Sequence, residues 1–250
     1  MKDVYLYDDQ GVDAGSLEHT QISLQKEISR GDARICKINA SQVGEGKWRK
    51  RAALFVMPGG RDRFYVEALK GQGAGHIKEF VEEGGSYLGI CAGAYYAASS
   101  IEFEVGGNDE VTGDRPLQFF PGVARGPAYG NGKYAIDSHR GVEAALIKSG
   151  PHQCRVYFNG GCTFCALGVK SPSVEVLASY QELEGCPPAV IDCKVGKGRA
   201  LLSGVHLEYS AHHFSPAKGK LAQVYSKLNK DESLRQRLFS QVMSDILNNT

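Results

Sequence analysis

No stretch of this sequence approaches the length and apolarity of a membrane span. Its first nine residues, Met-Lys-Asp-Val-Tyr-Leu-Tyr-Asp-Asp, carry acids where a secretory signal needs an unbroken apolar run. Neither sign of charge dominates: 29 basic against 28 acidic side chains leave +1, which favours neither a nucleic-acid partner nor an anionic membrane. Seven cysteines, an odd number spread over 250 residues, suit reduced thiols better than a disulfide framework. Together these point to a cytoplasmic protein. Without an internal repeat or low-complexity linker to divide it, the chain reads as one domain over 1–250, with a core over about 3–210 and C-terminal helices over about 215–248. A hydrophobic content of 42% with 23% charged residues is that of a globular protein with a sizeable core.

What is present is organised around Ser86-Tyr-Leu-Gly-Ile-Cys91-Ala-Gly-Ala-Tyr-Tyr-Ala-Ala-Ser99. The run Tyr87, Leu88, Ile90 suits a short buried strand, and Ala92 to Ala98 is small and helix-favouring, so the chain must turn sharply at Cys91. Gly89 and Gly93 complete Gly-x-Cys-x-Gly, the cysteine form of a nucleophile elbow, in which small flanking residues let strand and helix approach. The helix that begins there turns N–H groups and a positive dipole end toward the sulfur. An ordinary buried cysteine in a strand-to-helix turn is the alternative. A partner tips the balance: Gly198 to Glu208 reads as an apolar strand ending in His206, with Glu208 two residues on. Positions i and i+2 of an extended segment share a side, so Glu208 can hold the ring while the ring faces a thiol.

The rest of the order is that of an α/β sheet. Val4–Tyr7 reads as a first strand, Ser16 as the cap of a helix from Leu17 to about Ser29, Ala33–Ile38 as a second strand, Asn39–Lys50 as a loop, and Ala52–Met57 as a third strand. That strand runs into Pro58-Gly59-Gly60, whose side-chain-free backbone can offer N–H donors to an oxyanion at the C-terminal edge of the sheet. Asp62 and Tyr65 follow and can reach the same crevice. Gly71, Gly73 and Gly75 have the wrong spacing for a dinucleotide loop and read as a turn before a helix from His76 to Glu83. From Ile101 to about Gly150 the chain is glycine-rich, with strand-like pieces at Leu117–Phe120 and Tyr134–Ile136, and reads as an elaboration folded over the crevice. Arg125 has the charge to bind a carboxylate, or is a surface arginine in a turn. Asn159, Gly160 and Gly161 end a strand over Cys154–Phe158 and suit substrate recognition, or simply a left-handed turn.

His152, Cys154, Cys162 and Cys165 offer soft ligands. Cys162 and Cys165, however, would face opposite sides of an extended strand, so no metal is assigned. At the C-terminus Ser215-Pro216 reads as a helix start and Asp231 as the cap of a second helix. Leu234, Leu238, Val242 and Ile246 recur there every four residues, a packing face or, alternatively, a homodimer or partner surface.

Five ordered motifs carry a resemblance: Met57-Pro-Gly-Gly-Arg-Asp-Arg-Phe-Tyr65, Gly84 to Tyr96, Phe119-Phe-Pro-Gly-Val-Ala-Arg-Gly-Pro127, Tyr157-Phe-Asn-Gly-Gly-Cys162 and Gly204-Val-His-Leu-Glu208. Over about residues 3–210 the chain resembles the biotin-protein-ligase N-terminal domain family, a branch of the class I glutamine-amidotransferase-like superfamily. The resemblance implies a flavodoxin-like three-layer α/β sandwich with a mainly parallel central sheet, inserted β pieces and a C-terminal helical pair. It implies Cys91 as nucleophile, His206 as base, Glu208 as orienter, an oxyanion pocket from the Ala92 N–H and the Gly59 and Gly60 loop, and no cofactor. Glutamine-hydrolysing relatives carry a glutamine four residues after the nucleophile and a proline between histidine and glutamate; here these are Tyr95 and Leu207. A phenol cannot reproduce an amide's paired donor and acceptor, which points to a different amide or acyl substrate. Gly196-Lys-Gly-Arg199 only faintly echoes an adenylate loop, so no ligase activity is expected. The alternative is a non-catalytic binding or regulatory domain acting with a biotin ligase or carboxylase-related partner.

Overall fold

A computed structural model describes residues 3–28, 33–135, 138–166, 173–215 and 217–247. In chain order the elements are β1 (Asp3–Tyr7), α1 (Ala14–Ile28), β2 (Arg34–Ile38), α2 (Ala40–Glu45), β3 (Ala52–Met57), α3 (Asp62–Ala68), α4 (Gln72–Glu82), β4 (Ser86–Ile90) and α5 (Ala92–Tyr96). Then come β5 (Ala98–Phe103), β6 (Val111–Asp114), β7 (Phe120–Gly126), β8 (Glu143–Ser149), β9 (His152–Phe158), β10 (Thr163–Ala166), β11 (Val174–Tyr180), β12 (Pro188–Val195) and β13 (Gly198–Ser203), with α6 (Gly219–Lys230) and α7 (Glu232–Leu247) closing the chain.

Nine strands form the main sheet in the order β2-β1-β3-β4-β13-β12-β11-β8-β9. From β2 to β13 every pair is parallel; from β13 to β9 every pair is antiparallel. The parallel half obeys the period of two expected of a sheet buried on both faces. Leu54 and Val56 of β3, with Leu88 and Ile90 of β4, face a core shared with Leu24, Phe239, Val242, Met243 and Ile246. Phe55, Met57 and Tyr87 face the opposite core, with Val43, Trp48, Tyr65, Ile77 and Phe80. Helices α1 and α7 thus cover one face and α2, α3 and α4 the other, the three layers expected. The apolar stripe of α7 is spent on this packing. A second, four-stranded sheet, β10-β7-β5-β6, is the inserted β material.

Several local expectations are corrected. Helix α1 begins at Ala14, because the Asp13 carboxylate accepts the Ser16 N–H (2.8 Å) and so takes the capping role assigned to Ser16. The expected loop 39–50 contains α2, closed by a reciprocal capping box between Asn39 and Gln42 and ended by left-handed Gly46. Helix α4 starts at Gln72, so Gly73 and Gly75 lie inside it rather than in a turn before it. Tyr134 and Ala135 are not in a strand, and Ile136 lies outside the described residues, as do Ser29 and Pro216. Leu117 and Phe119 are buried, but only Phe120 of that piece enters a strand. Among the described residues no helix is long and apolar enough to cross a membrane.

Candidate active site

Cys91 sits between β4 and α5 with φ 50° and ψ −105°, a left-sided conformation that is strained for any residue with a Cβ. Its N–H donates to the Ser203 carbonyl at the end of β13 (2.8 Å), and its own carbonyl accepts from Ala94 and Tyr95 (both 3.0 Å). The flanking glycines permit the turn. A Cβ on Gly93 would lie 2.1 Å from the Met57 carbonyl oxygen of β3, and one on Gly89 would lie 2.6 Å from the Gly93 oxygen.

His206 arrives from the neighbouring strand. Beyond β13, the Ser203 hydroxyl donates to the Val205 carbonyl (2.6 Å), tightening the turn that delivers the imidazole. The His206 Nδ1 lies 2.7 Å from Glu208 Oε1, both residues being buried. His206 and Cys91 line the same cavity. Burial pulls the His206 value down, but the Glu208 carboxylate and the bonds to Glu208 and Cys91 outweigh it and raise it from 6.5 to about 10. The net direction favours the protonated ring. Ser23 Oγ donates to the Glu208 carbonyl (2.6 Å), while Glu208 Oε2 is buried with no partner among the described residues.

The Gly59 and Gly60 loop lies beside the imidazole: a Cβ on Gly59 would lie 2.8 Å from His206 Cε1. The Gly59 N–H, however, donates to Ser16 Oγ (2.8 Å), the use the fold makes of that hydroxyl. Gly60 and Ala92 have N–H groups with no partner among the described residues, and both line a cavity with Cys91. Tyr65 is buried behind the loop, its hydroxyl donating toward the Pro58 and Gly59 carbonyls (3.3 and 3.2 Å), and it lines neither cavity described here.

The far end of the sheet curls back to complete the site. The His206 N–H donates to the Tyr157 carbonyl of β9 (2.9 Å), joining the loop after β13 to the edge strand. A Cβ on Gly161 would lie 1.8 Å from the Gly204 carbonyl oxygen, so the two backbones meet only because neither carries a side chain. This contact brings the Asn159 carbonyl to 3.8 Å from the Cys91 sulfur. Asn159 Oδ1 is buried with no partner among the described residues, and the Tyr95 hydroxyl donates to the Gly160 carbonyl (3.0 Å).

Cys91 opens on two cavities. One, about 140 Å³, is lined among others by Asp62, Ala92, Tyr95, Phe103, Glu110 and Asn159. The other, about 880 Å³, is lined by His19, Tyr157, His206, Tyr209, Phe214 and Tyr225 among others. In the larger one Tyr209 is stacked between His19 (4.0 Å) and Tyr157 (4.5 Å), its ring edge-on to His206 (4.8 Å). In the smaller one Asp62 is paired with buried Arg115 (2.5 Å); burial, the larger effect, raises the Asp62 value, and Arg115 counters it.

Of the residues picked out in the sequence, Cys91, His206, Glu208, Gly59, Gly60, Ala92, Asp62, Tyr95, Asn159 and Gly160 converge on this cleft. Gly161 acts one contact behind it. Arg125 does not reach it: the side chain is 57% exposed on the outer sheet and bonded to Glu102 (2.6 Å). Sequence reasoning missed His19, Arg115 and Tyr209. It also missed Glu232 and Arg235, a buried pair (2.7 Å) that clasps the segment after His206. Arg235 donates to the Leu207 carbonyl, and Glu232 accepts from the Ser210 hydroxyl (2.7 Å) and the Ala211 N–H (2.9 Å). The i, i+3 spacing of Glu232 and Arg235 was the only signal, and that spacing is commonplace on exposed helices. The thiols of Cys154, Cys162 and Cys193 are buried and pushed upward by burial, Cys154 to about 11. Among the described residues no three His, Cys, Asp or Glu side chains are grouped to hold a metal.

Comparison with known proteins agrees with this geometry at the level of family and fold. A family model described as "Biotin-protein ligase, N terminal" matches residues 2–249. An uncharacterized protein of Chlamydia muridarum is 33% identical over 254 residues, covering 99% of this chain and 97% of that protein. A biotin–protein ligase of Schizosaccharomyces pombe is 38% identical over 213 residues; the match covers 82% of this chain but only 32% of the ligase. Among solved structures, a ThuA-like protein from Bacteroides uniformis gives a TM-score of 0.54 at 12% identity, covering 96% and 91% of the two chains. A cytoplasmic protein from Salmonella typhimurium gives 0.51 at 14% identity, covering 98% and 99%. At these identities the likeness is one of fold.

Proposed function

The chain belongs to the biotin-protein ligase N-terminal family, and from that premise we propose that it is a thiol hydrolase or acyltransferase of the glutamine-amidotransferase-like kind. Cys91 is the nucleophile, His206 its acid and base, and Glu208 the group that fixes the ring. The observation that carries the reading is the buried 2.7 Å His206–Glu208 bond, with Cys91 on its strained elbow lining the same cavity as His206.

The steps follow from that arrangement. With the thiol proton on His206, the Cys91 sulfur attacks an amide carbonyl carbon and the carbonyl electron pair moves to oxygen. The N–H groups of Gly60 and Ala92 receive that oxyanion; the Gly59 N–H, spent on Ser16, does not. Collapse breaks the carbon–nitrogen bond as His206 gives its proton to the leaving nitrogen. Water then attacks the thioester, His206 takes its proton, and the acid departs as the thiol is restored.

Glutamine is disfavoured as the substrate. The phenol at Tyr95, where glutamine-hydrolysing relatives carry a glutamine, spends its donor on the Gly160 carbonyl and has no amide's paired donor and acceptor to offer a substrate. The same feature favours a second reading, a binding or regulatory domain that works with a biotin ligase or carboxylase-related partner. No biotin ligase activity of its own is proposed. Intact-protein mass spectrometry after incubation with a small panel of aryl amides and esters tests the first reading. A mass gain of one acyl group, mapped to Cys91 and absent in Cys91→Ala, supports catalysis; no gain with any of them supports the binding domain.

A further inference from the structure

Glu208, which on the reading above fixes the His206 ring, sits on a segment with no ladder of its own. Beyond β13 the chain turns, and among the described residues no backbone-to-backbone hydrogen bond involves Leu207, Glu208 or Tyr209. Nor do the carboxylate's own bonds lock it. Its Oε1 meets His206 Nδ1 (2.7 Å), and Oε2 has no partner among the described residues. A site group must be held within about 0.5 Å of its productive geometry, so this one depends on what holds its backbone.

Side chains from two helices do that. Ser23 of α1 donates to the Glu208 carbonyl (2.6 Å), and Arg235 of α7 donates to the Leu207 carbonyl. Glu232 accepts from the Ser210 hydroxyl (2.7 Å) and the Ala211 N–H (2.9 Å). Glu232 and Arg235 are joined by two bonds (2.7 and 3.1 Å), so a single two-pronged unit grips the chain on both sides of Glu208. His206 shares the same frame. Asp231, just before α7, accepts the Arg155 N–H of β9 (2.8 Å), and the Tyr157 carbonyl of that strand takes the His206 N–H (2.9 Å).

Packing does not account for these side chains. A buried ion pair is a weak source of stability, because desolvation offsets the attraction, and apolar side chains of similar size serve as well or better. The rest of the buried face of α7, with Phe239, Val242, Met243 and Ile246, is apolar. Helix α1 likewise buries Ser23 where a packing helix buries an apolar residue. What Ser23, Glu232 and Arg235 have in common is a bond to the segment that carries Glu208. None of the three lines either cavity at Cys91, so they act through Glu208 and not on a substrate.

We propose that Ser23, Glu232 and Arg235 are positioning residues, which hold segment 207–211 so that the Glu208 carboxylate meets the His206 ring. The catalytic consequence rests on the reading of Cys91, His206 and Glu208 as a triad; the geometric one does not.

The test removes the grip without leaving a buried charge unpaired. Glu232→Leu/Arg235→Met replaces the pair by apolar side chains, Ser23→Ala removes one hydroxyl, and Ile246→Val loosens α7 away from the segment. Urea denaturation gives the stability of each. The His206 ring nitrogens are read by two-bond proton–nitrogen NMR correlation in histidine-labelled protein, with Glu208→Gln marking a ring that has lost its carboxylate. The proposal expects the Nδ1 signal of the double variant to move most of the way to its Glu208→Gln position. That of Ser23→Ala should move in the same direction, and that of Ile246→Val should stay. Acylation of Cys91 by p-nitrophenyl acetate should slow by about 10- to 100-fold in the double variant, the cost of a misplacement on the order of 1 Å. In Ser23→Ala it should slow by about 5-fold, the worth of one hydrogen bond. An unmoved Nδ1 signal overturns the role of the residues changed in that variant, and an equal movement in Ile246→Val overturns the whole proposal; both leave the catalytic reading standing. If the double variant does not fold, Ser23→Ala against Ile246→Val decides. Signals that move as expected in a protein whose Cys91 no acyl donor modifies overturn the catalytic reading and leave the positioning standing.

Discussion

The two walls of the cleft are built differently. The parallel half of the sheet supplies the Cys91 elbow, the Gly60 donor and the His206–Glu208 pair from loops at adjacent strand ends, each held by short backbone bonds. The antiparallel half supplies Tyr157, Asn159 and Gly160 only because β9, the far edge strand, curls back onto the loop after β13. On the proposed reading, the first wall makes and breaks bonds and the second shapes what sits beside them. Chemistry is thus tied to local strand-to-helix geometry, while recognition is tied to a long-range closure of the sheet.

Glycine substitutions break the two walls separately and should have the largest effects on stability. Gly93→Ala drives a Cβ to 2.1 Å from a backbone oxygen in the first wall, and Gly161→Ala to 1.8 Å in the second. Each should cost about 2 to 3 kcal/mol in urea denaturation, since backbone cannot give way as a flexible side chain can. Gly161→Ala should also slow Cys91 alkylation less than Gly93→Ala does, because it leaves the elbow intact.

The first wall also carries a pH signature. His206 is raised from 6.5 to about 10, so between those values the folded protein holds a proton that the unfolded chain has released. This contribution to stability is complete below about pH 6.5 and is lost as pH rises through about 10. Melting temperature should fall across that window in the wild type, and the fall should flatten in His206→Ala. An unchanged slope would remove the claim that the imidazolium is held by its neighbours.

Smaller effects sharpen the contrast. Tyr95→Phe removes the bond to the Gly160 carbonyl that links the walls and should cost about 1 kcal/mol. Arg125→Ala, on the exposed outer sheet, should change stability by less than about 0.5 kcal/mol and leave Cys91 reactivity untouched.

The same division explains what the sequence disclosed. Gly89, Cys91 and Gly93, or His206 and Glu208, act across two residues, so spacing alone reveals them. Strands β1, β3 and β4 were legible from their apolar runs for the same reason. Helix α2 was passed over although Asn39 and Gln42 carry its capping box, because its polar, glycine-dotted composition resembles a loop. Tyr209 and His19 could not be found that way, since their stacking joins residues 190 positions apart and no local pattern encodes it. Nor did composition show that Ser16, read as a cap, would take the Gly59 N–H.

The most direct test of the central claim is the pH dependence of Cys91 alkylation by iodoacetamide, located by peptide mapping, in the wild type and in His206→Ala. This account expects the wild type to be modified much faster than His206→Ala at and below neutral pH. Identical profiles for the two proteins would contradict it.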